Sequence, residues 1–197
     1  MKKVQTYFDK KSFRYQKKSN SFPWKLIRDH EKNIVFSLMG NIKNLSIADV
    51  GSGSGFYTEF ILKQKPKKVY AIDNSSKMLA QIQNHNKKIK KILQNIETLK
   101  LNQKFDKIIS AGLIEFVKKP IRVFENIHKI SKKNSTFILL CPKDNLFGKV
   151  YKFFHSLNKI DINLFSIDQL NHLSQKTGWK IIKKESFLFS TILKMRK

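Results

Sequence analysis

Residues 47–57 read IADVGSGSGFY and decide the fold of this chain. An apolar run, typical of a buried strand, ends at Asp49 and Val50 and is followed by three glycines at alternate positions. An apolar-periodic segment then begins at Phe56, as a helix would. Glycines allow a tight turn and let a ligand approach the backbone without meeting a Cβ. The stretch therefore predicts a strand, a ligand-binding turn and a helix whose N-terminal N–H groups point at the ligand.

The spacing of these glycines narrows the choice of ligand class. No Lys-Ser or Lys-Thr pair follows the last glycine, so the turn is not a phosphate-cradling P-loop. The order Gly-x-Gly-x-Gly also differs from the Gly-x-Gly-x-x-Gly of dinucleotide enzymes. A carboxylate at Asp49, just before the turn, suits a ligand with an ammonium group better than one with a pyrophosphate.

A second predicted strand, KVYAID at residues 68–73, ends in Asp73. This residue lies where a ribose-binding carboxylate is found in a βαβ unit. Ser75 or Ser76 is a suitable N-cap for the helix that follows. The two units together predict a nucleoside site at the carboxyl ends of neighbouring strands.

Four segments in this order resemble the class I S-adenosyl-L-methionine-dependent methyltransferases: DVGSGSG at 49–55, AIDNSSKML at 71–79, FDKIIS at 105–110 and LIEFV at 113–117. The resemblance covers residues 47–142. It implies an α/β, Rossmann-like fold, with a mostly parallel seven-stranded sheet and helices on both faces. A C-terminal antiparallel hairpin, expected from strands at residues 179–183 and 187–193, would close the sheet.

The resemblance also implies S-adenosyl-L-methionine as cofactor. Asp49 would order the turn and reach the methionine amine through water, and Asp73 would accept hydrogen bonds from both ribose hydroxyls. Asn95 stands where the family usually has an aspartate that binds the adenine amino group, and its amide oxygen can still accept that bond. The implied cofactor-binding residues are Asp49, Gly51, Gly53, Gly55, Asp73, Asn74, Met78, Asn95, Ile96 and Ala111.

The composition fits one globular domain of 197 residues. No apolar run approaches the roughly 20 residues that span a bilayer. The start of the chain has no secretory pattern, and a single cysteine excludes an internal disulfide framework, so we expect a cytoplasmic protein.

The charge is strongly basic, with 40 lysines and arginines against 14 acidic residues and a formal net charge of +26. Only four of the 40 are arginines, the residue that nucleic-acid readers favour, and the lysines are dispersed along the chain. We interpret the excess mainly as a compositional bias. It also allows weak association with a membrane surface or a nucleic acid.

Two regions are predicted to serve the acceptor substrate. In similar methyltransferases an N-terminal helical cap, here residues 1–44, folds over the cofactor-binding domain, here residues 45–197, and a helical lid near 144–165 covers the acceptor pocket. An aromatic-rich lid suits a small hydrophobic or lipid-like molecule, although simple packing explains each aromatic residue equally well. The candidate acceptor-binding residues are Tyr15, Trp24, Phe116, Phe147 and Tyr151.

A general base is not evident in the sequence. Many similar enzymes have a histidine where this chain has Phe116, and His155 in the lid is the one weak catalytic candidate. No spacing of His, Cys, Asp and Glu indicates a metal site. We therefore predict methyl transfer to a small hydrophobic molecule, with two alternatives: an RNA methyltransferase that uses the basic surface, and a non-catalytic cofactor-binding module.

Overall fold

The computed structural model describes residues 4–9, 22, 24–83 and 87–197. Seven strands form one sheet, and the first five alternate with helices or short helical turns. The strands are β1 Ser46–Val50, β2 Lys68–Asp73, β3 Ile89–Leu93, β4 Phe105–Ala111, β5 Ser131–Pro142, β6 Lys180–Phe187 and β7 Ser190–Arg196.

The strand order is β3-β2-β1-β4-β5-β7-β6. The first five strands are parallel, and β7 pairs antiparallel with both β5 and β6. The fold predicted from the sequence, a mostly parallel seven-stranded sheet with a C-terminal antiparallel hairpin, is confirmed. The chain moves outward from β1 to β3 and then returns to β4 on the other side of β1, which opens a crevice where the strand order reverses.

Helices cover both faces of the sheet. Among the described residues they are α1 (residues 4–9), α2 Trp24–Met39, α3 Phe56–Lys63, α4 Ser76–Gln81, α5 Pro120–Lys129, α6 Leu146–Ser156 and α7 Ile167–Lys176. Two 3-10 turns, η1 Ile96–Thr98 and η2 Ile114–Phe116, follow β3 and β4. Within the described ranges, no helix is both long and apolar enough to cross a membrane.

The core is divided by the sheet into two layers. On one face α5 and α7 bury side chains such as Phe124 and Leu170 against β1, β4 and β5. On the other face α2 and α3 bury Val35 and Ile61 against the same strands. Helix α2 lies within the predicted cap of residues 1–44, and it contributes fully buried residues to the core. The division of the chain into a cap and a cofactor-binding domain stays a prediction. The packing holds the carboxyl ends of the parallel strands rigidly side by side.

The turn of the C-terminal hairpin lies later than the sequence predicts. Residues 187–193 read as one apolar strand, but the chain reverses at Leu188 and Phe189, between β6 and β7. Leu188 has a left-handed φ of 48°, which is rare for a leucine. Phe189 packs on the rings of Tyr151 and Trp24, whereas Leu188 is exposed, and neither is a typical turn residue, so the sequence resembles a continuous strand.

Candidate functional site

The glycine turn folds back over the end of β2. The N–H groups of Gly51 and Ser52 both donate to the carbonyl of Ile72, at 2.8 and 3.1 Å. Gly51, Gly53 and Gly55 have φ values of 77°, 53° and 93°, all in the left-handed region that favours glycine. The turn therefore needs glycine at these positions for its shape. It places main-chain atoms at the carboxyl edge of the sheet.

Asp73 joins this turn to the start of the next helix. One carboxylate oxygen accepts the N–H of Gly53 and the other accepts the N–H of Ser75, each at 2.9 Å. Burial raises the pKa of Asp73 above its ordinary value, while the backbone hydrogen bonds oppose that rise. A carboxylate has about four lone-pair positions, so Asp73 can accept a hydrogen bond from a ligand in addition to its backbone bonds.

Asp49 lies beneath the turn and is almost fully buried. Its Oδ2 accepts the hydroxyl of Thr58 at 2.6 Å, which ties the end of β1 to α3. Burial raises the pKa of Asp49 to about 7, the Thr58 hydrogen bond opposes the rise, and the charge of Asp73 adds to it. A cation in the crevice would favour the ionised form of Asp49.

A cleft of about 120 Å³ opens between the turn, the end of β2 and the end of β4. Of the residues predicted for the cofactor, Gly51, Gly53, Asp73, Asn74, Met78 and Ala111 line it, and so does Phe116 from the acceptor set. Asp49 and Gly55 lie outside this lining and shape the turn.

The predicted adenine-binding pair lies outside the cleft lining. The side chain of Asn95 caps η1, where its oxygen accepts the N–H of Glu97 at 2.9 Å. Ile96 is buried in the core, and its carbonyl accepts the amide of Asn126 at 2.7 Å. Both residues have structural roles, and their contact with adenine stays a prediction.

Aromatic rings form a wall beside the cleft. Phe116 contacts the ring of Phe8 from α1 edge-on, with 5.1 Å between centroids, and the ring of His155 from α6 at 5.4 Å. His155 in turn contacts Tyr151 at 4.6 Å. These rings come from α1, η2 and α6, so the fold brings together segments that are far apart in sequence.

The wall continues to the hairpin and to α2. Tyr151 stacks on Phe189 with nearly parallel rings 5.1 Å apart, and Phe189 meets Trp24 at 6.3 Å. We call the set Phe8, Trp24, Phe116, Tyr151, His155 and Phe189 the aromatic wall. Of the acceptor residues predicted from the sequence, Trp24, Phe116 and Tyr151 belong to it, as does the catalytic candidate His155.

The two other predicted acceptor residues are not part of this wall. Phe147 points outward from α6 and is exposed. Tyr15 lies outside the residues that the structure describes.

Hydrogen bonds fix α6 against the hairpin turn. Asn145 caps the helix by accepting the N–H of Gly148 at 2.8 Å, and its amide donates to the carbonyl of Leu188 at 3.0 Å. The N–H of Lys143 donates to the carbonyl of Phe189. The strained turn at Leu188 thus sets the position of the helix that carries Tyr151 and His155.

Glu115 is a buried acid that reading of the sequence did not assign to the site. It lies in η2 between Leu113 and Phe116, both of which line the cleft, and it is only 3% exposed. Among the described residues its Oε2 has no hydrogen-bond partner. Burial raises the pKa of Glu115 to about 8, its own backbone amide opposes the rise, and the charge of Glu31 adds to it.

Glu31 is a second buried acid, on α2. It accepts a hydrogen bond from the hydroxyl of Ser190 on β7. Burial raises the pKa of Glu31 to about 6, against the effects of Ser190 and Arg28. Two buried carboxyl groups, one at the carboxyl end of β4 and one beside the amino end of β7, are costly, and such groups are candidates for a functional site.

Phe8, Arg28 and Phe56 also line the cleft and were not predicted. The guanidinium of Arg28 lies 3.8 Å above the ring of Phe56, which joins α2 to the start of α3. No local pattern signals Phe8 and Arg28, because each enters the site from a distant amphipathic segment, whereas Phe56 directly follows the glycine turn. Among the described residues, no group of three or more His, Cys, Asp and Glu side chains could hold a metal ion.

Comparison of the sequence with known proteins identifies residues 48–139 as a match to a family described as a methyltransferase domain. The sequence is also 31% identical over 93 residues to ribosomal RNA small subunit methyltransferase A of Ehrlichia ruminantium (strain Gardel). That match covers 47% of this chain but only 32% of the length of the relative.

Solved structures share the fold over nearly the whole chain. Magnesium protoporphyrin IX methyltransferase from Synechocystis PCC 6803, with S-adenosyl-L-homocysteine bound, superposes with a TM-score of 0.79 at 19% identity, covering 98% of both chains. An S-adenosylmethionine-dependent methyltransferase from Mesorhizobium loti superposes with a TM-score of 0.76 at 15% identity, covering 84% of this chain and 96% of that one. At these identities the likeness is one of fold.

Proposed function

The chain belongs to the class I S-adenosyl-L-methionine-dependent methyltransferase superfamily, and we propose that it transfers the methyl group of this cofactor to a small, hydrophobic or lipid-like molecule. The family predicted from the sequence is confirmed, with methyltransferase as its enzyme class and S-adenosyl-L-methionine as its cofactor. The acceptor and the residues that bind it belong to the proposal.

The observation that carries the proposal is the carboxylate of Asp73, which is held against the glycine turn and lines the cleft. Its remaining acceptor capacity suits the ribose hydroxyls of the cofactor. A Cβ built on Gly53 meets nothing within 4 Å, so the turn leaves a space along its backbone. The residues present therefore fit a nucleoside with a methionine tail, with Asn74 and Met78 beside the adenine.

Asn95 and Ile96 remain our predicted neighbours of the adenine edge. Asn95 already accepts one hydrogen bond from Glu97. Its oxygen has a second lone pair, which the adenine amino group requires. Asp49, close beneath the turn, would be ionised by the ammonium group of the methionine tail, because a nearby cation lowers a raised carboxyl pKa.

S-adenosyl-L-methionine supplies a methyl group that its sulfonium already activates. The chain must hold the acceptor in line and exclude water. The aromatic wall suits an apolar acceptor because its rings form one continuous surface from Phe116 to Trp24. One structure of the same fold is named as a methyltransferase of magnesium protoporphyrin IX, a small molecule with a large apolar ring system.

Two groups of this chain are candidates to take a proton from the acceptor. Glu115 lies one residue before Phe116 and has a raised pKa of about 8, near the pH at which an acid-base group works well. His155 packs between the rings of Phe116 and Tyr151. We favour Glu115, since its buried Oε2 makes no hydrogen bond within the described residues and lies between Leu113 and Phe116, which line the cleft.

Calorimetric titration with S-adenosyl-L-homocysteine tests the cofactor site. We expect Asp73→Ala to weaken binding by about 100-fold or more, because two hydrogen bonds to a charged group contribute roughly 3–6 kcal/mol. Asp144→Ala, which removes an exposed carboxylate at the loop before α6, is the matched control and should bind as the wild type does. Equal affinity in both variants would refute the site.

The acceptor class needs a separate experiment. The protein, labelled S-adenosyl-L-methionine and a cell extract are incubated, and the label is followed into an organic phase, an aqueous phase and RNA. Label in the organic phase supports the proposal. Cofactor binding without label in any fraction favours the non-catalytic alternative.

RNA methyl transfer is a second candidate, favoured by the net charge of +26 and by the partial match to a ribosomal RNA methyltransferase. It predicts label in RNA and RNA binding that persists at about 150 mM salt, where dispersed surface charge is largely screened. If binding to every RNA is lost at that salt concentration, this candidate is excluded.

A further inference from the structure

The outer surface of α6 is apolar and exposed to solvent. Its large hydrophobic side chains, and the one that follows the helix, are between 48% and 75% exposed. These residues are Leu146, Phe147, Val150, Phe153, Phe154 and Leu157. We call them the α6 outer face. Proteins rarely leave so many large apolar side chains together in water without an interaction that covers them.

The helix has a different, inner face toward the protein. Gly148 is buried, Tyr151 stacks on Phe189, and His155 packs on Phe116. At 100° per residue these three positions lie on the side opposite to the outer face, which forms a stripe about 120° wide. Packing among the described residues therefore accounts for the inner face, whereas the outer face is exposed to solvent.

Positive charge lies near this stripe. At 100° per residue Lys149 is next to the stripe, and Lys143 and Lys159 flank the helix. Lys152 lies on the opposite side of the helix and pairs with Asp161 at 3.0 Å. The other lysines add to a chain whose formal charge is +26. An apolar face of phenylalanine and leucine on a helix with lysines near it is the pattern of a helix that lies in a bilayer surface.

We propose that the α6 outer face docks on the surface of an anionic lipid bilayer. The apolar side chains enter the boundary between headgroups and acyl chains, and the lysines contact anionic headgroups. The helix, about 16 Å long, would lie parallel to the surface. Docking needs only this face and the charge, so it does not depend on the proposed catalytic function.

Charge and residue type favour a bilayer over the other possible occupants. A second copy of the chain would also carry +26, so two copies repel each other. RNA-binding surfaces use stacking and arginine, whereas half of this face is aliphatic and no arginine lies in segment 143–161. The inner face of the same helix carries Tyr151 and His155 of the aromatic wall. Docking would therefore bring the acceptor side of the protein to a bilayer, where lipid-like molecules are found.

The experiment is co-sedimentation of the full chain with vesicles of phosphatidylcholine alone and of phosphatidylcholine with 30% phosphatidylglycerol, at about 150 mM salt. We expect the protein to bind the anionic vesicles about tenfold more tightly than the neutral ones. The triple variant Phe147→Ser, Phe153→Ser, Phe154→Ser should lose about 100-fold in affinity for the anionic vesicles. Its thermal unfolding should match that of the wild type, because these side chains are exposed.

The control variant Leu93→Ser, Ile182→Ser removes exposed apolar side chains on β3 and β6, away from α6, and should bind vesicles as the wild type does. Three outcomes overturn the proposal. Wild-type protein does not sediment with anionic vesicles; the triple variant and the wild type sediment equally; or light scattering shows a dimer that the triple variant dissociates. RNA binding at the same salt concentration that the triple variant abolishes would assign the face to RNA instead. Titration of the triple variant with S-adenosyl-L-homocysteine distinguishes failure of the docking proposal from failure of the proposed cofactor site.

Discussion

The two sides of the crevice are built in different ways. The proposed cofactor side consists of backbone amides and one carboxylate, and the hydrogen bonds described for it lie between Gly51 and Ser75. The proposed acceptor side consists of aromatic rings from α1, α2, η2, α6 and the hairpin, which are spread from Phe8 to Phe189. The cofactor side is thus a local structure with special backbone angles, and the acceptor side is a product of packing.

A backbone turn with left-handed residues tolerates few substitutions, because residues with a Cβ rarely adopt these angles. A wall of packed rings can change one residue at a time and accept another substrate. Substitutions on the two sides should therefore separate cofactor binding from acceptor binding.

The largest effect is expected inside the glycine turn. Gly55→Ala places a Cβ 2.8 Å from Ile82 at a φ of 93°, whereas the Cβ in Gly53→Ala meets nothing within 4 Å. We expect Gly55→Ala to lower the free energy of unfolding by about 3–5 kcal/mol, from backbone strain and overlap together. Gly53→Ala should lose only about 1 kcal/mol in stability, yet weaken S-adenosyl-L-homocysteine binding about tenfold by filling the space left for it. Urea denaturation and calorimetry measure both quantities. Equal stabilities of the two variants would contradict this account of the turn.

A smaller effect is expected on the acceptor side. A Cβ at position 148 lies 1.9 Å from the carbonyl oxygen of Lys143, so Gly148→Ala must move the start of α6. We expect a loss of about 2–3 kcal/mol in stability and a change in the environment of Tyr151. Binding of S-adenosyl-L-homocysteine should be nearly unchanged, because the cofactor cleft contains no residue of α6.

Val150→Ala, at an exposed position of the same helix, is the matched control for this substitution and should leave stability within about 0.5 kcal/mol. A large loss of cofactor affinity in Gly148→Ala would show that the two sides are coupled, against the comparison drawn above.

The smallest effect concerns the buried acid. The pKa of Glu115 is about 8 in the folded chain against an ordinary value of 4.5, so the folded state binds its proton more tightly than the unfolded state does. The stability of the wild type should therefore fall as the pH rises from 4.5 toward 8 and then level off. Glu115→Gln cannot ionise. Between pH 6 and 7.5 the free energy of unfolding of Glu115→Gln should rise by about 2 kcal/mol relative to that of the wild type, at roughly 1.4 kcal/mol per pH unit.

Denaturation curves at several pH values give this difference directly, and Asp168→Asn, at an exposed position of α7, serves as the control. A difference between Glu115→Gln and the wild type that does not change with pH would show that Glu115 is ionised throughout, as an exposed carboxylate is.

Sequence reading was most successful where the chemistry is local. The glycine spacing, Asp73 and the capping serine after it each leave a pattern within a few residues, and the strands around them were predicted with their bounds nearly correct. The hairpin turn was predicted in the wrong place, because Leu188 and Phe189 are apolar and Phe189 is held by a distant contact with Tyr151. Glu115 was not predicted as a site residue, since its burial beside the half-buried Phe116 follows only from the fold.

The sequence by itself determined the order of the strands and helices, the glycine turn and the carboxylate that closes it, because left-handed backbone angles and strand ends are properties of neighbouring residues. Only the tertiary structure decided which aromatic rings meet beside the cleft, which acids lose their water and which face of α6 stays exposed. Those features depend on contacts between segments far apart in the sequence, such as that of Phe8 with Phe116 and that of Trp24 with Phe189. Burial and long-range packing are set by the whole chain, so no short stretch of it contains them.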